Sequence, residues 1–330
     1  MKELALAAFA AESGGHVVEE PRNLHFRRFR RGFDPGRYLA ALRQSGIRWL
    51  PRSGPSFPPL LHAIHDPPAG LFVRGAADVD VLARTAVAVV GARACSGYGS
   101  HVARMLGREL GAAGVVVVSG LARGVDSEAH RGALESGGLT VAVLGCGIDR
   151  DYPAAHRELA RRIAERGAIV SEYAPGVEPA PWRFPARNRI IAGLAAATVI
   201  VEARERSGAL ITADFALEDG REVFAVPGEI TSSLAAGSNR LLSLGATPLT
   251  AVEDVLGALG VARPEAGTEA LSDVDRQVLE RLVEGSASAD ELARVTGLDA
   301  ASVATALVEL ELAGLVAEAE GVYRGARPPD

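Results

Sequence analysis

The chain has 330 residues, 48% of them hydrophobic and 23% charged, which is length for two or three domains and apolar material for a proper core. A formal charge of −6 excludes a uniformly basic nucleic-acid coat. Lys2 is the only lysine, so 34 of the 35 cations are arginine, which excludes a Walker A loop and Schiff-base chemistry.

The charge is uneven. Residues 265–330 carry 14 acids and 5 bases, a net of −9, whereas residues 1–264 carry a net of +3. Cys95 and Cys146 lie far apart with no CxxC pair, which excludes a disulfide framework or a cysteine-rich zinc site and favours a reducing compartment. No apolar run reaches the roughly 18 residues of a membrane span, and Met1-Lys2-Glu3-Leu4 lacks the layout of a signal peptide. A cytoplasmic protein is expected.

In chain order, residues 1–75 read as a small helical lead-in followed by an extended segment stiffened by six prolines between Pro51 and Pro68. Phe26-Arg27-Arg28-Phe29-Arg30-Arg31 is a dense basic and aromatic patch, suited to nucleic acid or to a solvated helix face. Residues 76–262 read as one domain, in which short apolar runs alternate with helical stretches from Ala86 to about Leu259. Ala86–Val90, Val115–Val118, Thr140–Leu144, Ala168–Val170, Thr198–Val201, Glu222–Val226 and Ala246–Leu249 read as strands buried on both faces, since they do not alternate. Val102–Ala113 and Pro153–Arg166 have helical spacing. The expected fold is α/β: an extended Rossmann-like, doubly wound, mostly parallel sheet with its ligand at the carboxyl ends of the strands. Residues 263–272 form a polar linker, and 263–330 as a whole read as linker plus winged helix, with helical patterns over Ser272–Val283, Ala289–Val295 and Ala300–Ala313.

The residues suited to chemistry follow the strands. Gly91-Ala92-Arg93 precedes Ser96-Gly97-Tyr98-Gly99, where glycines, a helix N-terminus and a guanidinium suit a phosphate. The next turn, Ser119-Gly120-Leu121-Ala122-Arg123-Gly124-Val125-Asp126, brings a second glycine-flanked arginine to the same edge. Asp126 reads as an N-cap, with His130 four residues on as an orienting or catalytic partner. No acid ends the second strand, which argues against a dinucleotide cofactor, and no cofactor or metal is expected. His62, His65 and Asp66 are close in sequence but lack metal-site spacing, Glu172 and Glu202 form a candidate carboxylate pair, and both cysteines suit small buried hydrophobes. Tyr152, Tyr173, Trp182 and Phe184 are base-stacking candidates, and Arg187-Asn188-Arg189 follows them. Cations interleaved with stacking rings suit single-stranded nucleic acid. Ser207–Ala213, Val226-Pro227-Gly228-Glu229 and Gly237-Ser238-Asn239-Arg240 add small-residue loops.

On these motifs the chain resembles the DNA-processing protein A family (DprA/Smf), from about Pro58 to Gly245. The matching residues are Gly91-Ala92-Arg93, Ser119–His130, Leu144–Asp149, Tyr152-Pro153, Ser171-Glu172, Phe184–Ile191, Ser207–Ala213 and Phe224–Gly228. The resemblance implies a cytoplasmic homodimer that binds and protects single-stranded DNA and loads the RecA recombinase during natural transformation, without catalysis. It also implies a phosphate pocket at Arg93, Ser119, Gly120 and Arg123, which we extend to Gly124, Arg187, Asn188, Arg189 and Arg240. Ala92 stands where the family has a hydroxyl residue. The alternative is a nucleotide phosphoribohydrolase of the lysine-decarboxylase-like Rossmann group, whose Pro-Gly-Gly-x-Gly-Thr run is absent. A winged helix reads the major groove with its third helix, but Asp299–Ala313 holds three acids and no cation. The tail is therefore expected to bind protein, or the chain's own basic domain, instead of DNA.

Overall fold

The computed structural model describes residues 2–13, 24–262, 272–312, 315–319 and 321–325. Two compact units emerge, residues 1–261 and 262–330.

The first unit opens with three helices, α1 (Lys2–Ser13), α2 (Leu24–Gly32) and α3 (Pro35–Gln44). Strands β1 (Ile47–Pro51) and β2 (Gly70–Arg74) flank the short helix α4 (Pro59–His62). Alternating elements then follow: β3 (Ala86–Val90), α5 (Gly97–Ala112), β4 (Val116–Ser119), α6 (Val125–Glu135), β5 (Thr140–Val143), α7 (Arg157–Arg166) and β6 (Ala168–Ser171). The unit closes with α8 (Arg183–Leu194), β7 (Ala197–Ile200), α9 (Gly208–Glu218), β8 (Glu222–Ala225), α10 (Ala236–Ser243), β9 (Thr247–Pro248) and α11 (Val252–Ala258).

Nine strands form one sheet in the order β1-β2-β6-β5-β4-β3-β7-β8-β9. From β6 to β9 every neighbouring pair is parallel, as the buried valine runs require. Along β3, Ala86, Ala88 and Val90 pack into the core on one face, while Val87 and Val89 pack into the core on the other. The chain winds outward from β3 to β6, then returns to place β7 on the opposite flank of β3. That reversal opens a crevice at the carboxyl ends of β3 and β7.

One stretch departs from the sequence reading. Two sheet strands that the sequence reading did not include, β1 and β2, flank the proline-rich segment. β1 pairs antiparallel with β2, and β2 with β6. Pro51 is tolerated because β1 is an edge strand, and Pro248 stands on β9 at the other edge. Gly70 is required where the Trp49 ring lies 2.4 Å from the position of a Cβ.

The second unit holds α12 (Asp273–Glu284), β10 (Ala287–Ser288), α13 (Ala289–Thr296), α14 (Ala300–Leu312), β11 (Val316–Ala319) and β12 (Val322–Gly325). Its three short strands run in the order β10-β12-β11, beneath a core that includes Val278, Leu282, Leu292, Leu307 and Leu310. This is a winged helix. The described exposed face of α14 presents Ala301, Ala304, Thr305, Val308, Glu309 and Glu311, with no cation and no amide.

In the first unit, His130 on α6 is fully buried, and its Nδ1 lies 2.7 Å from Thr140 Oγ1. Burial pushes its pKa down to about 3, with nearby His156 and Arg187 adding to the effect. Above pH 6.5 neither folded nor unfolded chain is protonated there. Below it, the unfolded chain takes up a proton that the folded chain refuses, so stability falls with pH. The His130→Gln variant should lose about 2 kcal/mol less stability than the parent between pH 7 and pH 5. Urea unfolding at both pH values measures it, and identical pH dependence in the two proteins would refute the assignment.

Candidate nucleic-acid interface

The crevice at the β3–β7 switch is a cleft of about 470 Å³. It gathers Arg93 from the β3 turn, Ala122 from the β4 turn, Asp126 from the first turn of α6, and Tyr152 from the β5 loop. Helix α8 supplies Phe184, Arg187, Asn188 and Ile191, spaced i, i+3, i+4, i+7 on one face. The far wall is the first turn of α9, with Ser207, Gly208, Ala209 and Thr212.

At the mouth, the Phe184 and Tyr152 rings stack with centroids 5.3 Å apart and planes 23° apart. The Arg93 guanidinium lies 5.3 Å from the Phe184 ring centroid. Arg93 is exposed and makes no hydrogen bond or ion pair with any described residue. A cation held over a ring, beside a second ring, presents charge and a flat apolar surface together.

The floor is built differently. Arg187 is buried and donates from Nη1 to the carbonyl oxygens of Gly120, at 2.9 Å, and Val143, and from Nε to Asn188 Oδ1. Burial lowers its pKa to about 10, so it stays charged at neutral pH. Asn188 in turn donates to the Gly208 carbonyl, fixing the start of α9 to α8. Asp126 accepts from the amides of Gly120 and Ala122. Burial raises its carboxyl pKa, opposed by Arg187 and by these amides.

Several sequence expectations change here. The amino end of α5 is already filled: Glu202 accepts from the Ser96 amide at 2.9 Å and from Ser96 Oγ at 2.5 Å. That carboxylate stands where a phosphate had been expected. Ser119 is fully buried, its hydroxyl donating to the Val89 carbonyl at 2.7 Å, so it binds the sheet instead of a ligand. Gly120 is buried too, with Arg187 Nη2 2.5 Å from where its Cβ would sit, so its role is to admit that guanidinium. Arg189 is withdrawn as a phosphate ligand. It lies opposite the cleft face of α8, 5% exposed, and grips Glu172 through two bonds of 2.9 and 2.8 Å and Asp66 at 3.0 Å. Tyr173 is withdrawn as a stacking ring because it is 3% exposed, beneath the Arg183 guanidinium at 5.2 Å. Asp126 is not a cap, since Gly124 occupies that position with φ +73°, and it does not pair with His130, which faces Thr140. Glu172 and Glu202 each bind other partners and form no carboxylate pair.

The remaining candidates lie outside the cleft lining. Arg123 and Arg240 are exposed, and Trp182 is 46% exposed with Arg183 over its ring at 4.7 Å. Gly124 packs against the Ala92 carbonyl, 2.3 Å from where its Cβ would sit. Cys146 is buried, which pushes its thiol up to about 11, whereas Cys95 is half-buried. Among the described residues no cluster of His, Cys, Asp or Glu suits a metal, and no helix is long and apolar enough to cross a membrane. Sequence reasoning missed Ser207, Gly208 and Thr212 as cleft residues. Their signal was available, since Ser-Gly opens a helix directly after the strand on the far side of the switch point.

A doubly wound sheet with a cationic and aromatic cleft at its switch point, followed by a winged helix, defines a class of DNA-processing proteins. The chain belongs to the DNA-processing protein A family: residues 48–260 match the family model described as DNA recombination-mediator protein A, and residues 262–321 match the DprA winged helix domain. It is 39% identical to protein Smf of Escherichia coli over 297 residues, covering 86% of this chain and 79% of that one. It is similar to the X-ray structure of DprA from Streptococcus pneumoniae, with 36% identity, a TM-score of 0.65, and coverage of 77% and 92% of the two chains. It is also similar to DprA of Helicobacter pylori, described for its single-stranded DNA binding mode, with 30% identity, a TM-score of 0.58, and coverage of 64% and 95%.

The two kinds of arginine predict opposite phenotypes. Arg189→Ala breaks a buried ion pair with Glu172 and removes the bond to Asp66, and should cost about 3–5 kcal/mol of stability. Arg93→Ala should change stability by less than about 0.5 kcal/mol, as for other exposed side chains. Thermal or urea unfolding of both variants checks this; similar losses would erase the distinction.

Proposed function

We propose that the cleft binds single-stranded DNA, with Arg93 on a phosphate and the Phe184–Tyr152 pair stacking on bases. The observation that carries the reading is Arg93 itself. Of the two arginines lining the cleft, Arg187 is spent on carbonyl groups, whereas Arg93 is exposed beside two stacked rings. Such a site suits an extended, unpaired strand, because every base offers a π-face and a duplex hides it. The first turn of α9 adds the positive end of a helix dipole to the same wall.

The wider role we infer is that of a cytoplasmic, non-catalytic mediator that protects single strands, hands them to RecA during transformation and acts as a homodimer. Family membership and the H. pylori relative's title support the DNA part of this reading. The engagement of Glu172 and Glu202 with other partners favours binding over the phosphoribohydrolase alternative. Arg123, Gly124, Asn188, Arg240 and Trp182 are proposed as supporting contacts, with Arg187 setting the positive potential of the floor.

Three measurements test the reading. Affinity for a single-stranded oligonucleotide should exceed that for a blunt duplex and fall with salt, as counterion release requires. Equal affinity for both would count against the proposal. Arg93→Ala should weaken single-strand binding by about 1.5–3 kcal/mol while leaving the protein folded. Removing residues 265–330, and with them a charge of −9, should leave single-strand affinity unchanged or tighter. A clear loss with a folded, truncated protein would show that the winged helix holds DNA after all.

A further inference from the structure

The patch at Phe26–Arg31 folds into a helix with two faces of different chemistry. Its rings join a continuous ladder: Phe9 lies 5.2 Å from Phe26 and 5.4 Å from Phe29, Phe29 stacks on Phe33 at 5.3 Å, and Phe33 meets Tyr38 at 5.3 Å. Phe26 is fully buried, so the apolar face of α2 is already occupied. The outer face presents Arg27, Arg28 and Arg31, and the adjoining helix α3 adds Arg37 and Arg43, all exposed. None of these five makes an ion pair with another described residue. Asp34 is the only acid between residues 24 and 46, and its carboxylate caps α3 by accepting from the Arg37 amide.

Arginine here is no signal in itself, because nearly every cation of this chain is arginine. The clustering is the signal. Arg27 and Arg31 are four apart and Arg28 and Arg31 three apart, so like charges face each other on one helix and destabilise it. An external polyanion would relieve that repulsion. A bilayer surface fits poorly, because the apolar face that would enter it is packed against α1 and α3.

The location points the same way. Leu42, Phe33, Tyr38 and Leu39 pack in one cluster with Leu121, Leu144, Cys146 and Ile148, which belong to the loops at the carboxyl edge of the sheet. Leu121 adjoins the cleft residue Ala122, and Ile148 begins the loop that carries Tyr152. The Tyr38 hydroxyl is pushed up to about 12 by burial and by the carboxylates of Glu12 and Asp149, the latter in that same loop. Helix α3 and Phe33, which follows α2 directly, thus share a core with loops of the edge that holds the cleft.

We propose that the arginine face of α2 and α3 is a second phosphodiester-binding surface, which engages the single strand where it extends beyond the cleft. This rests on the reading that the cleft holds single-stranded DNA. The test uses the full chain, its Arg27→Gln/Arg28→Gln/Arg31→Gln variant and Arg93→Ala, with oligothymidylates of about 6 and about 30 nucleotides bound across a salt series. The triple variant should bind the short strand as the parent does. It should bind the long strand roughly five- to twenty-fold more weakly, with a slope of log affinity against log salt shallower by about 2, or ~0.7 for each of three lost phosphate contacts. Its melting temperature should not fall, since repulsion has been removed. An unchanged slope and affinity for the long strand overturns the proposal, and would leave an acidic protein as the partner to seek. Arg93→Ala reports on the cleft separately: if it binds both strands normally while the triple variant loses the long one, the surface stands and the cleft reading fails.

Discussion

The buried guanidinium of Arg187 is the constraint around which the cleft is organised. Strands β4 and β5 end with carbonyl groups that no further strand residue can satisfy, and buried carbonyls without donors are costly. Arg187 reaches from α8 to the carbonyls of Gly120 and Val143, and so pins that helix across two strand ends at once. Its neighbour Asn188 extends the tie to the start of α9. Phe184, one helical turn before Arg187, is thereby fixed at the mouth, and Arg93 is given a ring to lie over. Gly120 must be glycine because that guanidinium fills the space of a side chain. A charge that cannot leave the protein thus prepares a site for one that reaches outward.

Much of this was legible from sequence because the relevant physics is local. Strands buried on both faces must be continuously apolar, so β3 to β8 are marked by their valine runs. The switch-point rule then places Arg93, Tyr152, Phe184 and Arg187 at one edge. The misreadings have equally definite causes. Arg189 sits two residues from Arg187, and residues two apart on a helix point in different directions; the 3.6-residue period alone would have turned it from the cleft. Ser119, Gly120 and Tyr173 have the right residue types at the right edge. Burial is decided by neighbours distant in sequence, such as Val89 for the Ser119 hydroxyl.

β1 and β2 escaped notice for a different reason. They are five residues each, contain Arg48, Pro51 and Gly70, and show neither alternation nor a valine run. Their strand character comes from pairing: β2 with β6, a partner about a hundred residues away, and β1 with β2. The amino end of α5 teaches the same lesson in electrostatic terms. Ser96 and the glycines after it advertise an anion site, and an anion is bound there, but it is the protein's own Glu202.

The prolines at the two sheet edges carry a consequence for assembly. Pro51 on β1 and Pro248 on β9 each remove a backbone donor from the outermost strand, and β9 is only two residues long. A neighbouring molecule finds no uninterrupted row of amides along which to lay a strand. The nine-stranded sheet is in this sense a finished object. Contacts made at these edges fall to side chains on helices and loops, where geometry is set residue by residue. Runaway growth by strand addition, the hazard of any long open sheet, is closed off at both ends.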